Sequence, residues 1–585
     1  MIAAPCSIVV ERGVPIPMRD GVILRADVWR SADGAPSPVL LQRLPYNKSD
    51  VFQAQFICGM EPVRAAEAGF VVIAQDTRGR FTSDGEFVPF VHEAEDAVDT
   101  IAWIRSRPYA NGQVGMFGAS YVGATQLLAA SAAPEGLVAI VPQLTAAEYY
   151  DTWSYVGGAM QLSFLLQWVF EVLAGPDVAR RPEGEPASRA AKTLAALLED
   201  PQSAFRSLPI DRPELAELAP YYADWVRHPT RDAYWQAIDP SARHSEMRVA
   251  GLHVAGWNDL FLEGSLRTYR GLREHAATSW ARENQYLVVG PWSHGNLMDW
   301  QGDHWFGYGA NIGALDMTAQ QLAFFGAAFA GSTAPFPRVR YFLMGADEWR
   351  TSEDWPPPGV VERSLFLRST GWEDARHGRL TAEAPAAGEA PLSYRSDPLD
   401  PVPTVGGATF LPGLLHGRNS GPKDQSCVEA RDDVLVYTTD PLETDLTVAG
   451  TVRLELHAAS SATDCDWTAR LVDVRPDGTA YGVVDGILRA RYRDGLDTAR
   501  PLVPNLPECF EVTLGTTAMT FQRGHRIRLQ VASSNFPRFD RNPQQFIEVA
   551  TAGPDDFLAA TQVVFGDAAR ASRLVLSVLS DNQSA

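Results

Sequence analysis

Short, continuously apolar runs recur along the first part of this chain, and each ends in small or polar residues. Buried parallel strands have this pattern, because helices cover both faces of such a sheet and leave it no polar face. Between two of the runs, residues 94–105 have apolar positions at helical spacing. The alternation predicts an α/β fold with a parallel sheet. The predicted strands are residues 38–42, 70–75, 114–117, 137–141, 251–256, 285–290 and 339–344.

The sequence pattern then changes twice. With 585 residues, the chain should form two or more domains. Between residues 146 and 244, apolar residues take helical spacing and prolines divide the stretch, which predicts a helical insertion. A Pro-Pro-Pro-Gly linker occupies residues 356–359. Beyond it apolar and polar residues alternate, as at Val452, Leu454 and Leu456, which is typical of a β-sandwich.

Charge and composition narrow the class of partners. The formal net charge is −21, which argues against nucleic acids and anionic membranes as partners. No signal segment or membrane-spanning run is expected from the sequence. Five widely spaced cysteines fit reduced thiols better than a disulfide framework. We therefore expect a cytoplasmic globular protein.

A turn after the third predicted strand carries the strongest chemical signal. Gly-Ala-Ser follows residues 114–117 at positions 118–120, and an Ala- and Leu-rich helix is expected from Tyr121 onward. A serine at a sharp strand-to-helix turn has an exposed hydroxyl and lies near helix-start N–H groups. The usual motif is G-x-S-x-G, but here the second glycine is Gly123 and Val122 takes its place. Ser120 is therefore a candidate nucleophile in a variant elbow.

A nucleophilic serine needs a histidine base, and that base needs a carboxylate to orient it. In α/β-hydrolases these partners follow the serine in the order Asp/Glu, then His, on loops after later strands. Asp259 follows the strand at 251–256, and His294 follows the strand at 285–290. The order and the strand ends predict a triad of Ser120, Asp259 and His294. His304 is the nearest competing histidine, although no apolar strand precedes it.

Three of these motifs resemble the cocaine esterase-like (CocE/NonD) hydrolases, a group related to X-Pro dipeptidyl-peptidases and α-amino acid ester hydrolases. They are Gly-Ala-Ser-Tyr-Val-Gly at 118–123, Gly-Trp-Asn-Asp at 256–259 and Gly-Pro-Trp-Ser-His at 290–294. The likeness extends to residues 14–22, 76–79 and 533–540. The displaced glycine of the elbow is the form that this family uses.

The resemblance implies an α/β-hydrolase domain with an inserted helical cap and a C-terminal all-β jelly-roll domain. The expected division is 1–145 and 245–355 for the hydrolase domain, 146–244 for the cap and 356–585 for the jelly roll. It also implies an oxyanion hole made by the backbone N–H of Tyr121 and the hydroxyl of Tyr46. A phenol after a strand of the same sheet is able to donate to developing negative charge.

The resemblance further assigns substrate-pocket positions. Trp153 and Trp168 in the cap, and Phe261 beside Asp259, match positions that line the acyl pocket. Phe410, in the segment 409–411, belongs to another predicted wall, where this sequence departs from the reference esterase of the family. Residues 149–152 depart as well, so cocaine itself is not assigned as the substrate.

These residues predict a serine hydrolase that cleaves carboxylic esters, with a small-molecule ester as its partner. No metal or other cofactor is expected, because metal-ligand motifs are missing from the sequence. The sequence leaves open whether the protein forms a homodimer. One alternative keeps the triad but cleaves X-Pro peptides or β-lactam side chains, with Glu148 and Asp151 as candidates to hold a free amine. A second alternative is a non-catalytic carbohydrate-binding protein.

Overall fold

A computed structural model describes residues 7–50, 59–369, 376–410 and 419–580. The strands that precede the Pro356 linker confirm all seven predicted apolar runs. In chain order they are β1 (Ile8–Pro17), β2 (Ile23–Ser31), β3 (Ser37–Leu44), β4 (Val71–Asp76), β5 (Ala110–Ala119), β6 (Leu137–Gln143), β7 (Tyr155–Val156), β8 (Ala159–Met160), β9 (Ala250–Asn258), β10 (Gln285–Ser293), β11 (Trp300–Gln301), β12 (His304–Trp305), β13 (Val339–Leu343) and β14 (Glu348–Ser352).

In the described part of the chain, ten of these strands form one sheet in the order β1-β2-β4-β3-β5-β6-β9-β10-β13-β14. Strands β4, β3, β5, β6, β9, β10 and β13 run parallel, as the apolar runs predicted. Their carboxyl ends therefore lie along one edge of the sheet. The loops after β3, β4, β5, β9 and β10 meet at this edge, which is where open α/β sheets bind ligands.

The sheet is not purely parallel, which corrects the sequence prediction. β1 pairs antiparallel with β2, and β2 pairs antiparallel with β4. At the opposite edge β14 folds back on β13 in a hairpin. These outer strands have partly exposed residues, unlike the fully buried β4, β9 and β10. A strand with one wet face has no continuous apolar run, so the periodicity argument missed it.

Helices cover this sheet and fill the segment between β6 and β9. The predicted helix at 94–105 is confirmed as α2, and the helix after Ser120 as α3. In chain order the helices are α1 (Pro62–Glu67), α2 (Glu93–Arg105), α3 (Tyr121–Ser131), α4 (Leu162–Gln167), α5 (Gly175–Ala179), α6 (Glu185–Glu199), α7 (Pro201–Arg206), α8 (Pro213–Leu218), α9 (Pro220–Arg227), α10 (Ala233–Ala237), α11 (Leu262–His275), α12 (Ser279–Glu283), α13 (Met317–Phe329) and α14 (Ser426–Glu429).

The segment between β6 and β9 is helical, with two stretches of wider π-helical turns at Tyr150–Ser154 and Trp168–Ala174. Its apolar side chains join the aromatic residues near Ser120 in one core cluster. One run in it, Leu162–Ala179, has the length and the mean hydropathy, 1.3, of a membrane-crossing helix. However, 67% of that run is buried inside the protein, as in a core helix.

Beyond the linker the described chain is almost entirely β-structure. Its strands are β15 (Val360–Arg368), β16 (His377–Thr381), β17 (Leu392–Ser396), β18 (Leu435–Thr438), β19 (Leu446–Ser460), β20 (Asp466–Val474), β21 (Ala480–Arg489), β22 (Glu508–Phe521), β23 (Arg526–Ala532), β24 (Ala560–Val564), β25 (Gly566–Asp567), β26 (Arg570–Ala571) and β27 (Arg573–Leu579). Eleven of these strands form a sheet with the order β17-β24-β19-β27-β15-β16-β18-β23-β20-β21, and β22 pairs with β19. Cys427, Cys465 and Cys509 are free thiols, whereas Cys6 and Cys58 lie outside the described residues.

A buried ionic network joins this β-rich domain to the helical segment. Arg489 forms hydrogen bonds with both carboxylate oxygens of Asp466 and both of Asp540, at 2.9–3.0 Å. Asp540 in turn accepts a hydrogen bond from the backbone N–H of Met160 at 2.8 Å. All three charged side chains are nearly excluded from solvent. Asp540 belongs to the segment 533–540, which resembles the family. This segment therefore fixes the β-rich domain against the helical segment.

Candidate active site

Ser120 occupies a strained turn between β5 and α3. Its backbone has φ 59° and ψ −128°, a region that residues with a side chain rarely adopt. Strain of this kind persists only where the surroundings impose it. Here the Ser120 N–H donates to the carbonyl of Gln143 at 2.9 Å, and the Ser120 carbonyl accepts from the Thr145 hydroxyl at 2.8 Å. The neighbouring strand β6 and its loop thus hold the turn in place.

The position of Gly123 has a packing explanation. A Cβ atom added to Gly123 would lie 2.5 Å from Cγ2 of Thr145, closer than real contacts allow. Thr145 is the residue that holds the Ser120 carbonyl. The close approach of α3 to the loop after β6 therefore requires glycine at position 123, whereas Val122 fits the core.

His294 lies between Ser120 and Asp259 in a hydrogen-bonded row. Its Nε2 is 3.1 Å from Ser120 Oγ, and its Nδ1 is 2.9 Å from Asp259 Oδ1. His294 is 7% exposed and Asp259 is 2% exposed. Ionised carboxylates only accept hydrogen bonds, so Asp259 directs the imidazole proton to Nδ1 and leaves Nε2 to accept from the serine hydroxyl. The structure brings the three predicted residues together.

The Tyr46 hydroxyl is held by the helical segment. The indole Nε1 of Trp168 donates to the Tyr46 oxygen at 3.0 Å. Since an indole nitrogen only donates, this bond uses the tyrosine oxygen as an acceptor and not its proton. Tyr46 follows β3, whose neighbour in the sheet is β5, so it lies at the sheet edge that carries Ser120.

Tyr121 is the first residue of α3, and its backbone N–H has no acceptor within the helix. Its side chain is fully buried, and its hydroxyl accepts from the N–H of Phe90 at 2.8 Å and contacts Glu93 at 3.2 Å. Glu93 pairs with the buried Arg43 at 2.9 Å. Burial is the main cause that raises the pKa of the Tyr121 phenol well above its usual value, so it stays protonated.

Aromatic side chains surround the row. Phe261 packs its ring against His294 with centres 5.0 Å apart, and Trp153 stacks on Phe261 at 4.1 Å. Phe410 lies 5.7 Å from the His294 ring, while Trp168 is 5.5 Å from Trp153. All four predicted pocket residues therefore belong to one aromatic cluster beside His294. Residue 411 of the predicted wall lies outside the described residues.

Two acidic residues that were candidates for binding an amine face arginines instead. Glu148 is 3.7 Å from Arg231 and accepts two backbone N–H groups, and Asp151 pairs with Arg267 at 3.0 Å. Burial raises the pKa of Glu148 to about 7, with the charges of nearby carboxylates as smaller causes. The charge of Asp151 is thus paired within the protein, whereas burial disfavours the charged form of Glu148.

His304, the competing histidine, lies elsewhere. Its Nε2 is 3.1 Å from Asp347 and its Nδ1 is 3.2 Å from Arg475 in the β-rich domain.

The mixed sheet and its row of serine, histidine and aspartate are the features that define α/β-hydrolase-like serine hydrolases, and they place the protein in that class.

The comparisons with known proteins place the chain within that class. Residues 20–296 match the X-Pro dipeptidyl-peptidase (S15 family), and residues 316–575 match the X-Pro dipeptidyl-peptidase C-terminal non-catalytic domain. A cocaine esterase of Rhodococcus sp. (strain MB1 Bresler) is 39% identical over 97% of this chain and 98% of its own length. The chain belongs to the cocaine esterase-like family of serine hydrolases, so the predicted resemblance to that family is confirmed.

Solved structures support the same assignment. An α-amino acid ester hydrolase is 26% identical with a TM-score of 0.81, covering 99% of this chain and 98% of that protein. An aminopeptidase from a marine sediment Thaumarchaeota archaeon is 27% identical with a TM-score of 0.81, covering 98% and 97%. The α/β-hydrolase-like fold and the separate C-terminal β-rich domain are therefore shared over the full length.

Sequence reasoning missed the residues that support the site. Arg43 and Arg80 are fully buried: Arg43 pairs with Glu93, which contacts the Tyr121 hydroxyl, and Arg80 donates to the carbonyl of Pro45. Thr145 holds the elbow. Arg78, in the segment 76–79 that resembles the family, pairs with Asp96 of α2 at 2.6 Å. Arg80, two residues later, gave no separate signal because charged residues are usually exposed.

Proposed function

We propose that this protein hydrolyses carboxylic esters through an acyl-enzyme on Ser120. The observation that carries this proposal is the row Ser120 Oγ–His294 Nε2 at 3.1 Å and His294 Nδ1–Asp259 Oδ1 at 2.9 Å, on a strained elbow. A serine hydroxyl is a poor nucleophile unless a base takes its proton. The row supplies that base and the carboxylate that orients it.

In the acylation step Ser120 Oγ attacks the ester carbonyl carbon while its proton passes to His294 Nε2. The C=O π electrons move to the carbonyl oxygen, which becomes an oxyanion. When the tetrahedral intermediate collapses, the bond to the leaving oxygen breaks and His294 donates its proton to the leaving alcohol. Asp259 stabilises the imidazolium throughout without taking its proton.

The proposed oxyanion hole consists of the Tyr121 N–H and the Tyr46 hydroxyl. The Tyr121 N–H follows the nucleophile directly and has no acceptor within α3. The bond from Trp168 to the Tyr46 oxygen fixes the tyrosine side chain. Donors that are already in place when charge develops stabilise the transition state without reorganisation.

Water releases the acyl group by the reverse sequence. His294 Nε2 takes a proton from the water as it attacks the acyl carbon, and then returns this proton to Ser120 Oγ as the acyl–oxygen bond breaks. The products are a carboxylic acid and the free enzyme.

The surroundings favour an aromatic or bulky apolar acyl group. Phe261, Trp153, Trp168 and Phe410 cluster beside His294, and the first three are buried. We assign the helical segment as a cap over the sheet edge, because it contributes Trp153 and Trp168 to this cluster. The C-terminal β-rich domain, which contributes Phe410, is assigned as the jelly roll that the resemblance implies. The expected division at residues 145, 244 and 355, a cytoplasmic location and a homodimer stay parts of this proposal.

A second candidate is hydrolysis of amides or peptides by the same triad. It is favoured by the full-length similarity to an aminopeptidase and by the match of residues 20–296 to the X-Pro dipeptidyl-peptidase (S15 family). Recognition of a free α-amine would need a charged carboxylate without a partner, but Asp151 is paired with Arg267 and burial disfavours the charged form of Glu148. We therefore place esters first. The ratio of kcat/KM for p-nitrophenyl acetate to kcat/KM for an aminoacyl-proline anilide separates the two candidates.

A fluorophosphonate probe tests the nucleophile directly. Incubated with the folded protein, it should form one covalent adduct, which peptide mass mapping should locate at Ser120. Heat-unfolded protein is the control and should not react, because the activated serine exists only in the fold. A folded protein without an adduct at Ser120 contradicts the proposal and favours a non-catalytic binding protein.

A further inference from the structure

Arg80 is a buried arginine that the proposed mechanism does not use. It lies in the loop after β4, and its side chain is 0% exposed. Burying a guanidinium is costly unless its charge is paired and its donors are hydrogen-bonded. Its partners therefore show which parts of the protein it connects.

Those partners are the Tyr46 turn and the helical segment. Arg80 Nε donates to the carbonyl oxygen of Pro45, the residue before Tyr46, at 2.9 Å. Its Nη1 donates to the carbonyl oxygen of Leu173 at 3.1 Å and to the carboxylate of Asp177 at 2.6 Å. Leu173 belongs to the same π-helical stretch, Trp168–Ala174, that supplies the indole bound to Tyr46.

The guanidinium plane is also fixed from the side. Its central carbon lies 4.9 Å from the ring centre of Phe87 and 5.3 Å from that of Phe81. Such stacking orients a planar guanidinium and leaves its fork of donors in a fixed direction. An ammonium group has no such plane and would reach fewer of these acceptors.

We propose that Arg80 is a positioning residue that holds the Tyr46 hydroxyl in the oxyanion hole. It fixes the backbone of the Tyr46 turn at Pro45, while Trp168 fixes the far end of the Tyr46 side chain. This inference rests on the proposed oxyanion role of Tyr46. Because misplacement of a catalytic group by about 1 Å can cost about 100-fold in rate, the loss of Arg80 should act through Tyr46.

A double-mutant cycle on a p-nitrophenyl ester tests this inference. Tyr46→Phe should lower kcat by about 10²–10³-fold, the usual effect of removing one oxyanion donor. Arg80→Met should lower kcat by about 10–100-fold with KM changed by less than about threefold. In the double variant, Arg80→Met should add little to the effect of Tyr46→Phe, because both changes remove the same interaction.

Arg78→Met is the matched control on the same loop. Arg78 forms ion pairs with Asp96 at 2.6 Å and Asp20 at 2.8 Å, and among the described residues none of its hydrogen bonds goes to the Tyr46 turn. We expect it to lower the melting temperature while kcat stays close to that of the unmodified protein. Arg80→Lys keeps the charge without the planar fork, and its kcat should lie between those of Arg80→Met and the unmodified protein.

Three results of the cycle and its control would overturn the inference, and a fourth would remove its premise. The first is a loss of kcat in the double variant equal to the product of the two single losses. The second is a rise in the KM of Arg80→Met without a loss of its kcat. The third is a loss of kcat in Arg78→Met as large as that in Arg80→Met. If Arg80→Met does not fold, Arg80→Lys carries the same cycle. A Tyr46→Phe variant with unchanged kcat removes the premise and so overturns the inference as well, whereas a missing adduct at Ser120 overturns the proposed function itself.

Discussion

The sheet edge around Ser120 and the network around Arg489 both bury charged side chains, but they satisfy them differently. Asp259 Oδ1 accepts the hydrogen bond from His294 Nδ1, and Asp259 Oδ2 is buried without a hydrogen-bond partner among the described residues. Arg489, by contrast, binds both oxygens of Asp466 and both of Asp540. A fully satisfied network rigidifies a fold, whereas departures from full satisfaction concentrate at functional sites.

This difference separates activity from stability within one chain. At the sheet edge the backbone of Ser120 is strained and the polar row ends in a hydroxyl that can react. In the β-rich domain the Arg489 network joins strands β20 and β21 to the helical segment through Asp540 and Met160. Changes at the sheet edge should abolish turnover while the fold persists. Changes in the Arg489 network should lower the stability of the fold while the folded protein keeps its turnover.

The largest expected effect is that of Ser120→Ala. Removing the nucleophile of a serine hydrolase typically lowers kcat by about 10⁶-fold. Within the part of the chain that the structure describes, the hydroxyl forms only the bond to His294, so the melting temperature should change by no more than a few degrees. Ester hydrolysis and differential scanning calorimetry on the same preparation measure both quantities. A variant that stays active would show that Ser120 is not the nucleophile.

The matched change in the other region is Arg489→Met. It leaves the carboxylates of Asp466 and Asp540 buried without their cation, which typically lowers the free energy of unfolding by about 3–5 kcal/mol. The fraction that stays folded should keep its kcat. Urea unfolding with active-site titration by the fluorophosphonate probe measures these two quantities.

Arg573→Met is a control, because its ion pair with Glu455 is partly exposed and should contribute little to the free energy of unfolding. A large loss of kcat per labelled site in Arg489→Met would end the separation.

The smallest expected effect is on the pH dependence of stability and comes from His253, a buried residue of the ten-stranded sheet. Its Nε2 is 3.0 Å from Gln285 Oε1 in the interior between β9 and β10, and burial lowers its pKa to about 4. The unfolded chain takes up this proton near pH 6.5 and the folded one only near pH 4. Stability should therefore fall by up to about 3 kcal/mol as the pH drops from 6.5 to 4.

Unfolding by urea at several pH values tests this expectation. The slope of the unfolding free energy against pH should be shallower in His253→Gln than in the unmodified protein, whatever the absolute stability of the variant. An unchanged slope would assign the pH dependence to other groups. His244, whose pKa burial also lowers to about 4, is the first of these.

The parallel strands and the row of catalytic candidates could be predicted because their signals are local. Ser120, Asp259 and His294 each follow an apolar run that is buried on both faces, and parallel strands bring their carboxyl ends to one edge. The outer strands β1, β2 and β14 had no such signal, since one face of each is partly exposed. The resemblance supplied Tyr46 and the pocket residues, which residue patterns would otherwise assign to the core.

The sequence by itself determined the class of chemistry, because the nucleophile, base and carboxylate lie in a required order at strand ends. Only the tertiary structure decided what supports them. Arg80 reaches Pro45 and Leu173, and Arg489 reaches Asp540, across long separations in the chain. Such contacts depend on how distant segments pack and not on the neighbours of each residue, so an arginine buried at 0% exposure looks, in the sequence, like one at the surface.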